Sequence, residues 1–118
     1  KVLTVPRTKH TLECVELMSR RDVNSLIVLQ EDGTYAGTVQ IEDIRNKGKA
    51  GREIGELVQA DTLTVLRDED ARNAFDLLLS SNSGYLVVLN ADRTVAGIIT
   101  RTSMAKAMGE ALWGELPA

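Results

Sequence analysis

Slid against itself by 60 positions, the chain matches its own second half without a gap. Leu3, Thr4 and Val5 fall on Leu63, Thr64 and Val65, and Leu17 falls on Leu77. Leu26, Val28, Leu29, Asp32, Thr34, Ala36 and Gly37 each meet their own residue type again at positions 86, 88, 89, 92, 94, 96 and 97. Val39/Ile99 and Ile44/Met104 are conservative pairs in the same frame. Self-similarity at a fixed period is the signature of one supersecondary unit used more than once. The fold must therefore be built from two copies of a single local structure.

Each copy reads as β-α-β-β-α. It opens on a short strand, LTV. A helix follows, with apolar residues at helical spacing: Leu12, Val15 and Met18 in the first copy, Ala71, Phe75 and Leu78 in the second. Next comes a strand pair joined by a short polar turn, SLIVLQ-EDGT-YAGTVQ and YLVVLN-ADRT-TVAGIIT, which predicts antiparallel hairpins. A second helix starts after each hairpin, brief around IEDIR and longer in RTSMAKAMGEALW. Neither copy alone reaches the size at which one core is comfortably stable, so the two should pack together about a pseudo-twofold axis. The fold class is α+β, with repeat 1 over residues 1–46, a linker over 47–59 and repeat 2 over 60–118.

With 118 residues the chain is about one domain long, and such a chain buries roughly two thirds of the surface it exposes when unfolded. A net charge of −3 gives no global attraction for nucleic acid, and none is expected as a partner. No apolar run approaches the roughly 18 residues of a membrane span. Cys14, the single cysteine, cannot form an internal disulfide and reads as a small buried hydrophobe in a reducing, cytoplasmic setting. The start at Lys1, in a strand-like run and without Met, suggests a piece cut from a longer protein.

The polar residues that stand out lie at the end of each hairpin. In GIITRTS (97–103), Ile98 and Ile99 point to opposite faces of a strand, so one of them is free to meet a base. Thr100, Thr102 and Ser103 place hydroxyls at a helix start, where unpaired N–H groups favour an anion, and Arg101 adds a positive charge. Tyr85, in the same repeat, offers an aromatic face to a purine. The same residues also fit a plainer account: a helix cap, a solvent-exposed arginine and a strand tyrosine. The first copy, GTVQIED (37–43), has Gln40 in place of the threonine, and Glu42 would repel a phosphate.

Other features point away from chemistry. There is one histidine, His10, and no G-x-S-x-G, H-E-x-x-H or G-x-x-x-x-G-K-[ST] pattern, so neither catalysis nor a metal site is expected. The run RNKGKAGR carries Arg45, Lys47, Lys49 and Arg52; it reads as a solvated linker, or as a patch able to touch an anionic membrane surface. Trp113 suits a core edge or a dimer surface.

Two β-α-β-β-α copies 60 residues apart, with LTV openings and the run GIITRTS, resemble the tandem CBS domain, or Bateman module. The stretch from LTVPRTKHTLECVELM to VQIEDI is similar to the C-terminal CBS pair of OpuC-type osmoprotectant ABC transporter ATPases, which import glycine betaine, carnitine or choline. The resemblance implies a regulatory, non-enzymatic module that senses an adenine nucleotide, with cyclic di-AMP preferred and AMP or ATP next. It also implies a homodimer that bears the ligand at its interface and an attached ATPase domain peripheral to the cytoplasmic membrane. Carried over by position, the contacts are Tyr85, Ile98, Thr100, Arg101 and Ser103, with Ser25, Val23 and Leu3 in the same cleft. Leu3 and Val23 fit plain core equally well. Asp43 matches the aspartate that many such motifs use for ribose hydroxyls.

Overall fold

The computed structural model describes residues 3–47, 52–59, 63–81 and 84–113, with side chains described to Asn46 in the first stretch and to Ala107 in the last. The first copy comprises β1 (Thr4–Pro6), α1 (Thr11–Arg21), β2 (Ser25–Leu29), β3 (Tyr35–Gln40) and α2 (Ile41–Lys47). A single 3-10 turn, Ile54–Leu57, follows, and the second copy repeats the order as β4 (Thr64–Leu66), α3 (Ala71–Ser80), β5 (Tyr85–Leu89), β6 (Val95–Thr100) and α4 (Arg101–Trp113). This is the mixed α+β architecture expected.

Each copy forms its own three-stranded sheet, β1-β2-β3 and β4-β5-β6, in which the first pair is parallel and the second antiparallel. The registers coincide under the 60-residue shift: Val5 pairs with Val28 and Val65 with Val88, and the bulges fall at Val28/Leu29 and Val88/Leu89. The hairpin turns are built alike. Asp32 and Asp92 each accept hydrogen bonds from the backbone N–H of the threonine two residues on at 3.0 Å and from its hydroxyl at 2.6 Å. These bonds hold both carboxyl groups below their ordinary range.

Alternation along the central strands explains how two sheets yield three cores. On β2, Leu26 and Val28 face the helices of their own repeat and join Val5, Cys14, Met18 and Val39. On β5, Leu86 likewise meets Val65, Ala74, Leu78 and Met104. The residues between them point the other way: Ile27 and Tyr35 meet Val87 and Leu89 in a shared cluster flanked by Tyr85 and Ile98. The Tyr35 N–H also donates to the Arg93 carbonyl at 2.9 Å, tying the two hairpins together. Both faces of β2 and β5 are buried, which is why they read as unbroken apolar runs.

Residues 52–59, read from the sequence as linker, are built into the first repeat. Ile54 and Leu57 are 0% and 6% exposed and belong to the first core. The Thr11 N–H donates to the Arg52 carbonyl at 2.9 Å, and Gln59 exchanges backbone hydrogen bonds with Thr38. Full burial of a side chain such as Ile54 is worth about 1.5–3 kcal/mol, enough to hold this short segment in place.

Candidate functional site

The two central strands begin at Ser25 and Tyr85, and a cleft of about 430 Å³ opens where those strand ends meet. That volume is within the range of small-molecule sites. Five of the residues expected from the sequence line it: Leu3, Val23 and Ser25 from the first repeat, Tyr85 and Ile98 from the second. The Ser25 and Tyr85 hydroxyls approach to 3.4 Å across it. Val23 is 38% exposed, so it is a wall of the cleft and not core.

Three further lining residues were not singled out from the sequence: Asp22, Asn24 and Ile27. Asp22 ends α1 in a left-handed conformation, φ 54°, with its N–H donating to the Ser19 carbonyl. Aspartate tolerates that geometry better than most residues, so the run RRDVNS held a signal for a helix end followed by a polar rim. Asp22 brings an acceptor to the cleft, suited to an amino group or a sugar hydroxyl and unsuited to a phosphate.

Thr100, Arg101 and Ser103 are engaged beside the cleft and do not line it. Thr100 donates its N–H to Ser103 Oγ at 2.9 Å, and Ser103 returns its N–H to Thr100 Oγ1 at 3.0 Å. This reciprocal pair starts α4 as a capping box would. Arg101 reaches back to the end of α3, where one guanidinium nitrogen donates to the Leu78 carbonyl at 2.9 Å and the Ser81 carbonyl at 2.8 Å. The hydroxyls keep acceptor capacity and the arginine keeps free donors, but each already has a structural task.

The corresponding place in the first repeat is closed. Asp43 accepts from the Gln40 N–H at 2.9 Å and from Gln59 Nε2 at 3.3 Å, so both carboxylate oxygens are occupied. Thr38, the counterpart of Ile98, is 3% exposed beneath Gln59. The duplicated element is thus open on one side of the molecule and covered on the other.

His10 precedes α1 as its N-cap, and Cys14 is 0% exposed, its thiol pushed up to about 11 by burial. Among the described residues, no group of three histidine, cysteine, aspartate or glutamate side chains converges as a metal site would. Of the basic run, Arg45 is exposed, Arg52 pairs with Glu56 at 3.1 Å, and Lys49 and the Lys47 side chain lie outside the described residues, as does the side chain of Trp113. No helix among the described residues is long and apolar enough to cross a membrane.

A cleft shared between two equivalent three-stranded units is the arrangement of a CBS pair, and the CBS domain family matches residues 1–49 and 54–110. The chain belongs to that family. The choline transport ATP-binding protein OpuBA of Bacillus subtilis (strain 168) is 30% identical over 113 residues, which is 96% of this chain and 30% of that protein. The glycine betaine/carnitine/choline transport ATP-binding protein OpuCA of the same organism is 26% identical over 113 residues, with the same coverage of 96% and 30%. The chain therefore spans less than a third of the length of these relatives. Among solved structures, Staphylococcus aureus OpuCA superposes with a TM-score of 0.84 at 20% identity, covering 96% of this chain and 97% of that one. CBSX2 in complex with AMP gives a TM-score of 0.81 at 23% identity, covering 94% and 90%. These structural likenesses establish the fold.

Proposed function

We propose that this chain is the regulatory CBS pair of an osmoprotectant ABC transporter ATPase, and that it senses an adenine nucleotide, cyclic di-AMP before AMP or ATP, to control uptake. The carrying observation is the cleft of about 430 Å³ walled by both repeats, with Tyr85 and Ile98 on one side and Leu3, Val23 and Ser25 on the other. A purine stacked on Tyr85 would touch both repeats at once. The similarity to choline and glycine betaine transport ATP-binding proteins supports the parentage, and that to an AMP-complexed CBS structure supports the ligand class.

In this reading ATP hydrolysis belongs to an attached ATPase domain and the pair acts as its cytoplasmic sensor. Two copies meet so that the ligand lies at the dimer interface. The ligand biases the ATPase only as far as it binds one arrangement of the dimer better than another. Because Asp43 and Thr38 are covered, the first repeat frames the site and the second supplies its base platform.

Titration calorimetry with cyclic di-AMP, AMP and ATP tests this. Heat is expected with at least one, and Tyr85→Ala should weaken that ligand about tenfold or more, because stacking of a base on an aromatic ring is worth about 1–3 kcal/mol. No heat with any of the three would remove the nucleotide-sensor reading.

A further inference from the structure

In the first repeat, residues 54–59, IGELVQ, form a lid over one end of the sheet. The Ile54 N–H donates to the Lys9 carbonyl at 2.7 Å and the Gly55 N–H to the Arg7 carbonyl at 2.8 Å. The approach is close enough that a Cβ on Gly55 would sit 2.8 Å from Arg7 Cβ. Farther along, a Cβ on Gly37 would run into Val58 Cγ1 and come within 2.6 Å of the Gln59 carbonyl oxygen. Under this cover Thr11, Gly37, Thr38 and Val39 are buried.

The second repeat keeps the same floor with less over it. Ala71, the counterpart of Thr11, is exposed, and Gly97, Ile98 and Ile99 are only partly buried. Among the described residues, no atom lies within 4 Å of a Cβ placed on Gly97. Yet the residues that receive the lid in the first repeat recur, Arg67 for Arg7 and Gly97 for Gly37. The second core contains no described counterpart of Ile54 and Leu57.

The sequence carries a second lid. Residues 113–118 read WGELPA, repeating the Gly, Glu and Leu of IGELVQ, with Trp113 in place of Ile54 and Pro117 in place of Val58. The chain distances agree: from Gln40, the end of β3, to Ile54 is 14 positions, and from Thr100, the end of β6, to Trp113 is 13. Residues 114–118 lie outside the described ones. We propose that residues 113–118 dock on the second repeat, against Arg67 and Gly97, as residues 54–59 dock on the first, and so complete the second core with Trp113 and Leu116. Trp113 is the last residue of α4, so docking shortens that helix, and Gly109 is the residue in its final turns least able to hold helical structure.

Trp113 is the only tryptophan, so its fluorescence reports the docking directly. In the full chain its emission should be blue-shifted and resist acrylamide. Gly97→Val, which meets no described atom unless the lid is seated, should shift the emission to the red and raise acrylamide quenching several-fold while far-UV circular dichroism shows a folded chain. Leu116→Asp, outside both described cores, should do the same. Overturning results would be a solvent-like emission in the unmodified chain, an emission indifferent to both substitutions, or a blue shift that fades on dilution, since the last means the lid of a second copy fills the slot.

Discussion

Ser25 Oγ and Tyr85 OH lie 3.4 Å apart, and the two residues occupy the same position in their repeats. Equivalent positions touch only close to the line that relates the repeats, so this pair marks where the duplication folds onto itself. The difference in size between them makes the cleft one-sided, with a platform at Tyr85 and room at Ser25. A hydroxyl pair at 3.4 Å is longer than the usual 2.5–3.0 Å and is therefore weak. A double-mutant cycle of Ser25→Ala and Tyr85→Phe, read by urea unfolding, should give a coupling of no more than about 0.5 kcal/mol.

Arg101 holds the end of α3 through the Leu78 and Ser81 carbonyls. Arg101→Ala should lower stability by about 1 kcal/mol, a value reduced by exposure of the guanidinium to solvent. Lysine places a single ammonium where the planar group reaches two carbonyls, so Arg101→Lys should recover less than half of the loss. Urea midpoints of the three proteins decide it.

The lid over the first repeat should behave as core. Ile54→Ala is expected to cost about 2–4 kcal/mol, the range for removing a fully buried aliphatic side chain. Gly37→Ala should cost about 2 kcal/mol or more, because the new methyl group meets Val58 and Gln59 and the backbone there has a φ of 153°. Thermal unfolding measures both, and wild-type stability in either variant would return residues 52–59 to the status of a tether.

The two hairpin turns differ at one backbone position. Gly33 has a φ of 86°, and its counterpart Arg93 takes a φ of 71°. A non-glycine residue in this left-handed region costs roughly 1–2 kcal/mol, and glycine gives back about 0.5–1 kcal/mol through the freedom of the unfolded chain. Arg93→Gly should therefore stabilise the protein by up to about 1 kcal/mol, and Gly33→Ala should destabilise it by a similar amount. Denaturant midpoints are sufficient to see either.

Burial raises the Cys14 thiol from 9.0 to about 11. Between those values the folded chain holds a proton that the unfolded chain releases, so stability falls as pH rises from 9 toward 11 and this group has no effect on the slope below that window. Under reducing conditions the difference in unfolding free energy between the protein and Cys14→Ala should be flat from pH 6 to 8 and shrink above pH 9. An unchanged difference up to pH 11 would mean the thiol is not held in the apolar core.

Much of this was legible in the linear order of residues. The 60-residue match, the alternation in SLIVL and YLVVL and the turn residues EDGT and ADRT specify two β-α-β-β-α units, because each depends on contacts within a few positions along the chain. The motif GIITRTS was legible as a helix start for the same reason, and Tyr85 and Ile98 as cleft residues through the family likeness. Asp22 and Asn24 were missed because their place in the cleft depends on how α1 ends against the other repeat.

The sequence by itself determined the duplicated unit, its strand order and its turns, since backbone preferences and side-chain periodicity act locally. Only the tertiary structure decided that Arg101 turns to α3, that Gln59 closes over Asp43 while the space beside Ile98 stays open, and that residues 52–59 are core. Those outcomes rest on which distant groups come within hydrogen-bonding or van der Waals reach, and near-identical local sequences in the two halves meet different neighbours.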